Sequence, residues 1–168
     1  MQPIDVDKDY HFFNPRVGMT WSPSERSSFF LSGAIAQKEP TRGDFTDRYR
    51  FAAADEYPSS EKLYDVELGY TYTAPRFTAG VNLYYMYYKD QLVKTGQIND
   101  NYDALNINVP DSYRRGVELS FAWKTASWLT LSANATFSEN KIKNYVDKVV
   151  DYALEGNVAG AYDYLTTE

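Results

Sequence analysis

The chain has 168 residues, enough for one ordinary domain, and carries 17 basic and 23 acidic side chains, a formal net charge of −6. This acidic balance argues against a nucleic-acid partner, because proteins that bind phosphate backbones cluster lysine and arginine on one face. The sequence has no cysteine and a single histidine, His11, which excludes disulfides, thiol catalysis and cysteine-ligated metal centres. We therefore expect no cofactor.

Membrane-crossing helices are excluded next, because no run of about 18 apolar residues is present. The opening residues lack the basic start and apolar run of a signal peptide, and we do not expect one there. A membrane β-barrel stays open, because its strands alternate apolar and polar residues and their hydropathy is weak. The aromatic content of 17%, with 16 tyrosines, exceeds what a soluble core of this size needs. Tyrosine and tryptophan have an apolar ring and a polar tip, so they favour the boundary between an apolar phase and water.

The chain reads as strands, because apolar and polar residues alternate with period two along most of its length. In chain order, the predicted strands are Arg16–Ser22, Ser28–Gln37, Leu63–Thr73, Phe77–Gln91, Tyr113–Lys124 and Trp128–Ile142. Leu63–Thr73 alternates most regularly: its aromatic and aliphatic side chains point one way, and Asp65, Glu67 and three small residues point the other.

The predicted connections alternate in length. Segments 23–26, 74–76 and 125–127 are tight turns, whereas 38–62, 93–112 and everything after Lys143 are long, polar and irregular. This is the pattern of an outer-membrane barrel, which has tight periplasmic turns and extended extracellular loops. The predicted fold is an all-β, antiparallel, up-and-down meander of about six strands in three hairpins, forming part of a transmembrane β-barrel. A half-exposed antiparallel sheet in water is the alternative, because it shows the same alternation.

Aromatic residues support the barrel interpretation by their position. Those beside the tight turns would form one ring at the inner membrane interface: Trp21, Phe29, Tyr72, Phe77, Trp123 and Trp128. Tyr64, Tyr85 and Tyr87 lie toward the long loops and are expected in the outer ring. Charged residues such as Arg114 and Glu118 occupy the opposite face, which a water-filled lumen accepts and lipid does not.

Residues 143–168 are the least regular part of the sequence. Val146, Val149, Val150 and Ala153 recur at helical spacing, and Gly156 is a candidate stop signal. We expect an extracellular loop containing a short helix, or alternatively the start of a further strand.

Several segments resemble the barrels of TonB-dependent receptors, over roughly residues 14–144. They are Asn14–Gly18 followed by Trp21-Ser22-Pro23, Glu39–Arg42, Glu61–Tyr70, Tyr84–Leu92 and Asn108–Leu119. Each motif is weak alone, whereas their order and spacing together are specific. The resemblance implies a plugged barrel of about 22 strands in the bacterial outer membrane, which draws energy from the TonB complex of the inner membrane.

On this resemblance, residues 1–168 are one partial barrel segment of a longer receptor, with strands within 14–142 and no plug domain. The implied partners are outer-membrane lipid, the TonB complex through parts of the receptor outside this chain, and a small-molecule or glycan ligand. The family imports iron–siderophores, haem, cobalamin and glycans, and the sequence does not choose among them. The segment is not expected to transport anything by itself.

The candidate ligand-binding residues fall in two places. Arg42, Asp44 and Arg48 belong to the first long loop, where the alternative is an ordinary polar turn. Tyr84 and Tyr88 lie on the polar face near the long-loop end, where they would stack on a ligand or simply pack against loops. No catalytic grouping stands out, so we do not expect an enzyme. An outer-membrane barrel enzyme and a soluble, aromatic-rich carbohydrate-binding β-domain remain the competing functions.

Overall fold

Six antiparallel strands, hydrogen-bonded in chain order, form the main sheet. The computed structural model describes residues 9–45, 58–98, 104–143, 146–150 and 161–165. The strands are β1 (Arg16–Ser24), β2 (Ser27–Lys38), β3 (Glu61–Thr73), β4 (Phe77–Ile98), β5 (Ala104–Ala126) and β6 (Leu129–Ile142). Each strand pairs antiparallel with the next, which confirms the predicted up-and-down meander.

Tight turns join the strands at one end of the sheet, through residues 25–26, 74–76 and 127–128. Neighbouring turns are tied by backbone hydrogen bonds: Thr73 N donates to Arg26 O and Lys124 N donates to Arg76 O, both at 2.7 Å. All three predicted short turns are therefore present at this end, and the longer connections leave from the opposite end.

The prediction that residues 93–112 form an irregular loop is wrong, because the two flanking strands extend through most of this segment. β4 continues to Ile98 and β5 begins at Ala104, so that only residues 99–103 connect them. The end of β4, Lys94-Thr95-Gly96-Gln97, carries no alternating apolar residues. The start of β5 does alternate, with Leu105, Ile107 and Val109 separated by Asn106 and Asn108, and the prediction overlooked this period-two signal. Asp90, with φ of 52°, stands opposite Pro110, which has no N–H to donate.

The tail also differs from the helical prediction. β7 (Val146–Val150) and β8 (Ala161–Leu165) pair antiparallel as a separate two-stranded sheet, and β7 lies near β4. The valines of β7 are β-branched, which favours an extended backbone over a helix. In the first long loop, residues 42–45 form a helical turn.

The strand register sorts the side chains of the main sheet onto two faces. The apolar face carries, among others, Val17, Met19, Leu31, Val66, Leu68, Leu83, Val117, Leu119, Leu131 and Phe137. The polar face carries, among others, Thr20, Ser32, Glu67, Thr71, Asn82, Glu118, Ser120, Asn134 and Thr136. Predicted alternation is thus confirmed along the sheet.

The apolar face is open rather than packed into a core. Val66 is 52% exposed, Leu131 51% and Phe137 67%. Among the described residues, the buried aromatic and apolar side chains are Tyr88, Val109 and the loop prolines Pro40 and Pro58, and none lies in the middle of the sheet. A water-soluble protein rarely leaves a continuous apolar surface of this extent uncovered, so the face requires an apolar environment.

Two rows of aromatic rings border the apolar face. The short-turn row includes Trp21 and Phe29, with ring centroids 5.5 Å apart, and Tyr72 and Phe77, 5.8 Å apart. Trp123 is the strand partner of Phe77, and Trp128 lies in the adjacent turn. The long-loop row is formed by Tyr64, Tyr85, Tyr87 and Tyr113, in which Tyr64 contacts Tyr87 and Tyr85 contacts Tyr113, each pair at 6.2 Å.

Candidate functional site

The middle of the polar face is a hydrogen-bonding surface with a shallow depression of about 420 Å³. Asn82 of β4 donates a 3.3 Å hydrogen bond to the carboxylate of Glu118 on the neighbouring strand β5. The depression is also lined by Phe30, Thr71, Gly80, Ser120, Asn134 and Thr136. Hydroxyl, amide and carboxylate groups of this kind bind polar solutes and water, and they offer no nucleophile paired with a base.

Tyr84 lies across Gly116 of the neighbouring strand, its register partner, and does not stand upright on the polar face. A methyl group added at Gly116 would lie 2.6 Å from Tyr84 Oη and 2.5 Å from the backbone oxygen of Phe137. Glycine at this position therefore makes room for the phenol ring. Tyr84 remains partly exposed in this position.

Phe30 makes a second arrangement of the same kind, which the sequence did not reveal. Its ring covers Gly69, its register partner on β3, and a methyl group added at Gly69 would lie 1.8 Å from Phe30 Cε1. A phenylalanine on the polar face followed by a glycine on the partner strand is the signal that could have predicted this pairing. The effect is to place an aromatic ring flat against the wall.

Tyr88 is enclosed, in contrast to Tyr84. It is 8% exposed, and the guanidinium carbon of Arg114 lies 5.2 Å from the centre of its ring, a cation–π distance. Its hydroxyl contacts Met86 Sδ at 3.8 Å. Ser112, its strand partner, is also buried and donates a 2.5 Å hydrogen bond to Gln91 Oε1. Tyr88 thus lies in a packed cluster of side chains.

Asp44 fixes the first long loop to the sheet. It is 6% exposed, and its Oδ2 accepts hydrogen bonds from Thr41 N at 2.7 Å and from Thr41 Oγ1 at 2.8 Å. Its Oδ1 accepts a 2.8 Å hydrogen bond from the side-chain amide of Asn106, on β5. Both carboxylate oxygens are therefore engaged within the chain, one closing the helical turn and the other holding it against the strand.

Asn108 makes a second attachment beside that of Asp44. Its amide nitrogen donates to Ser59 O at 3.0 Å and to Asp90 O at 2.7 Å, and its Oδ1 accepts from Ser59 N at 2.9 Å. The side chain thus joins the end of the first long loop to β4 and β5. Sequence reasoning missed both Asn106 and Asn108, because it assigned them to an irregular segment.

The five predicted site residues do not form one cluster. Asp44 lies level with Asn106, whereas Tyr88 is opposite Ser112, about 20 Å further along β5 at 3.3 Å per residue. Arg42 is exposed on the same helical turn as Asp44. Arg48 lies outside the described residues.

The described ranges contain no group of three or more histidine, aspartate or glutamate residues arranged to hold a metal ion. Within the same ranges, no helix has the length and apolar character needed to cross a membrane.

An open antiparallel meander with one apolar face, one polar face and bordering aromatic rows defines a segment of β-barrel wall. The family model for the β-barrel of TonB-dependent receptor-like proteins matches residues 3–166. The chain therefore belongs to the TonB-dependent receptor family, whose members are bacterial outer-membrane proteins that work with TonB and small ligands.

Solved structures share this fold. The FrpB iron transporter from Neisseria meningitidis is 24% identical, with a TM-score of 0.59 over 77% of this chain and 20% of its own. The siderophore receptor PirA from Pseudomonas aeruginosa is 19% identical, with a TM-score of 0.63 over 77% of this chain and 25% of its own. The copper transporter OprC is 15% identical, with a TM-score of 0.61 over 76% and 20%, respectively.

These matches cover only part of each solved protein. The chain spans between a fifth and a quarter of the length of these structures, and at such identities the likeness shows the fold alone. No curated protein matches the chain by sequence. The named family members and neighbours are receptors and transporters, and their cargoes differ.

Proposed function

We propose that this chain forms part of the wall of an outer-membrane receptor that imports a scarce nutrient using energy from TonB. The single observation that carries the proposal is the sidedness of the sheet. Its apolar face is exposed along the strands, while its polar face carries Asn82, Glu118 and their hydrogen-bonding neighbours. In a barrel, the first face contacts acyl chains and the second lines a water-filled pore.

The height of the apolar belt supports this placement. Trp123 of the short-turn row and Tyr113 of the long-loop row lie ten residues apart on β5, which is about 33 Å of extended strand. A strand tilted by about 45° spans roughly 23 Å of that along the membrane normal, close to the apolar band of about 25 Å in outer-membrane barrels. The two aromatic rows then lie at the two interfaces, where tyrosine and tryptophan are favoured.

The candidate ligand-binding residues differ in how exposed their side chains are. Tyr84 is partly exposed on the polar face, and Arg42 is exposed on the turn that Asp44 holds in place. We assign ligand contact to Tyr84 and Arg42, and a positioning role to Asp44. Tyr88 supports the wall beneath Arg114. We also propose Arg48 as a ligand contact, because it belongs to the first long loop in the sequence.

The proposed cargo class is wider than the cargo of any one structural neighbour. The structural neighbours are named as iron, copper and siderophore proteins, which makes a metal or its chelate the first class to test. Haem, cobalamin and glycans are the further candidates. Through parts of the receptor outside this chain, the TonB complex would supply the energy.

Uptake by the full-length receptor tests the proposal. Cells that express it are given radiolabelled iron–siderophore, copper, haem, cobalamin or oligosaccharide, with and without TonB. We expect one cargo to accumulate only when TonB is present. Equal accumulation in both strains for every cargo, or a purified receptor that stays soluble without detergent, would contradict the proposal.

Tyr84 and its sequence neighbour Tyr85 provide a matched pair for the ligand contact. Tyr84 is on the polar face, whereas Tyr85 is on the apolar face and stacks on Tyr113. Tyr84→Phe removes one hydroxyl, and we expect the cargo to bind about five-fold more weakly, as for one lost hydrogen bond. Tyr85→Phe should leave the dissociation constant unchanged. Equal affinities for both variants would remove Tyr84 from the site.

A further inference from the structure

Above the long-loop aromatic row, the apolar face changes character and becomes basic. The strand register places Lys62, Lys89, Asp111 and Lys143 side by side across β3 to β6. The rows just below add Arg115, Glu139 and Lys141 on the same face. Five cations and two carboxylates thus form what we call the basic row, in a chain whose net charge is −6.

Part of this charge is neutralised within the row. Arg115 contacts Glu139 at 2.5 Å and Lys141 contacts the same carboxylate at 3.1 Å. Asp111 accepts a hydrogen bond from the Tyr87 hydroxyl. The row therefore keeps an excess of positive charge.

The remaining cations of the row are accessible and have no partner within the described ranges. Lys89 and Lys143 are exposed and Lys62 is partly exposed, and none of the three makes an ion pair with a described residue. The side chains of Arg115 and Lys141 also stay open to solvent, at 57% and 48% exposure. Donors on all five cations can therefore reach an outside group.

We propose that the basic row binds the phosphate groups of lipids in the leaflet on the long-loop side of the membrane. The proposal rests on the membrane placement given under Proposed function. It is carried by charge complementarity and by continuity, because the cations lie on the same face as the apolar belt. Lys62, Lys89 and Lys143 lie immediately above the long-loop tyrosines, and Lys141 and Arg115 lie level with them. An amphiphile whose tails cover the belt brings its headgroup to this level.

A phosphorylated lipid fits this surface better than a protein or a free anion does. Lysine and arginine beside a membrane are attracted to anionic headgroups, and arginine can bind phosphate with two parallel hydrogen bonds. The ring of Tyr113 lies two residues nearer the long loops than Arg115, 5.5 Å from its guanidinium carbon, and this contact draws that side chain toward the interface. A soluble anion would gain nothing from the belt beneath.

The test uses the full-length receptor in detergent and counts bound lipid by native mass spectrometry. The probe is a diphosphorylated glycolipid, lipid A, compared with the same lipid stripped of both phosphates. The variant is Lys89→Gln/Arg115→Gln/Lys141→Gln. The matched control, Arg16→Gln/Lys38→Gln/Lys124→Gln, removes the same charge from exposed residues of the polar face.

We expect the row variant to bind the phosphorylated lipid about ten-fold more weakly or worse, with the dephosphorylated lipid unaffected. The control should bind both lipids as the unaltered receptor does, and added salt should weaken only the phosphate-dependent part. Equal binding of the phosphorylated lipid by variant and control overturns the proposal. So does displacement of the lipid by millimolar inorganic phosphate, which would indicate a site for free anions.

A second variant guards against misfolding. Lys89→Gln/Lys143→Gln leaves the Arg115–Glu139–Lys141 cluster intact, and we expect it to fold normally and still lose phosphate-dependent binding. Labelling of the belt by a lipid-phase probe separates the two claims. Normal labelling with unchanged lipid binding refutes the basic row alone, whereas absent labelling in the unaltered receptor refutes the membrane placement.

Discussion

The lower and upper parts of the sheet are built for different surroundings. The lower wall, from the short turns to the long-loop aromatic row, leaves side chains such as Val66 and Leu131 more than half exposed. The upper extension comprises β4 beyond Lys89, β5 before Asp111 and the loop segments held against them. There Val109 is 2% exposed, Asp44 6%, and Pro58 less than 2%.

This difference shows where each part obtains its stability. The extension buries residues against one another and joins loop to strand by Asp44–Asn106 and Asn108–Ser59, as a water-soluble protein does. The lower wall has a complete β-ladder but no core, so its apolar side chains depend on the surrounding solvent phase. Substitutions should therefore act by different rules in the two regions.

The largest expected effect is a charge placed in the middle of the apolar belt. Ala135 is on the apolar face opposite Leu119, and the preceding Asn134 is on the polar face. Ala135→Arg should destabilise the full-length receptor in phospholipid vesicles by about 2–4 kcal/mol, because the charge meets hydrocarbon.

Asn134→Arg is the control for that substitution, since it places the same side chain in the pore. Urea unfolding followed by tryptophan fluorescence measures both variants. Equal losses of unfolding free energy would show that the two faces do not meet different solvents, and the comparison of regions would then fail.

A smaller effect is expected where aromatic rings lie on glycine in the lower wall. Gly116→Ala should lower the free energy of unfolding by about 1–3 kcal/mol, because the methyl group meets the fixed backbone oxygen of Phe137 as well as Tyr84. Gly69→Ala meets only the movable ring of Phe30 within the closest distances.

Double variants separate the two glycines. Phe30→Ala should restore most of the stability lost in Gly69→Ala, whereas Tyr84→Ala should restore little in Gly116→Ala. Thermal unfolding of the full-length receptor gives the four values. Full rescue at Gly116 would mean that the backbone contact with Phe137 is unimportant.

In the extension, Asp44→Ala should loosen the first long loop without changing the barrel. It removes the acceptor of Thr41 and Asn106, and the local cost is about 1 kcal/mol per hydrogen bond. We expect faster amide hydrogen exchange at residues 41–45, with the global unfolding midpoint unchanged. Glu39→Ala, an exposed acid in the same segment, should leave exchange as it was.

The smallest effect is expected at the exposed ion pairs of the basic row. Glu139→Gln should not shift the thermal unfolding midpoint measurably, because exposed pairs gain little over solvation by water. Glu25→Gln, in a short turn, provides the comparison. A clear fall in the midpoint for Glu139→Gln alone would show that this ion-pair cluster is shielded from water.

The sequence predicted the lower wall well because its strands meet two different surroundings. Leu63–Thr73 alternates throughout, and the observed β3 begins only two residues earlier. The end of β4 was missed because Lys94-Thr95-Gly96-Gln97 carries no alternating apolar signal. The start of β5 was missed although Leu105, Ile107 and Val109 alternate with two asparagines, so that part could have been predicted from the sequence.

The sequence predicted which face of the sheet a candidate residue occupies, but not which residues it contacts. The sequence assigned Tyr84 to the polar face, but not its place over Gly116, which depends on the register of β4 and β5. Asp44 was chosen for its charge, yet its partner Asn106 is 62 residues away. Pairings at that separation follow from the folded sheet and have no local pattern.

The two rings that lie flat on glycine would widen the pore that we propose. Phe30 and Tyr84 rest against Gly69 and Gly116 on neighbouring strands, whereas an upright aromatic ring at either place would narrow it. A cargo passing through such a pore would meet flat aromatic surfaces between hydrogen-bonding groups. Replacing either glycine with a bulky residue would push the ring inward, and large cargoes would then be slowed before small ones.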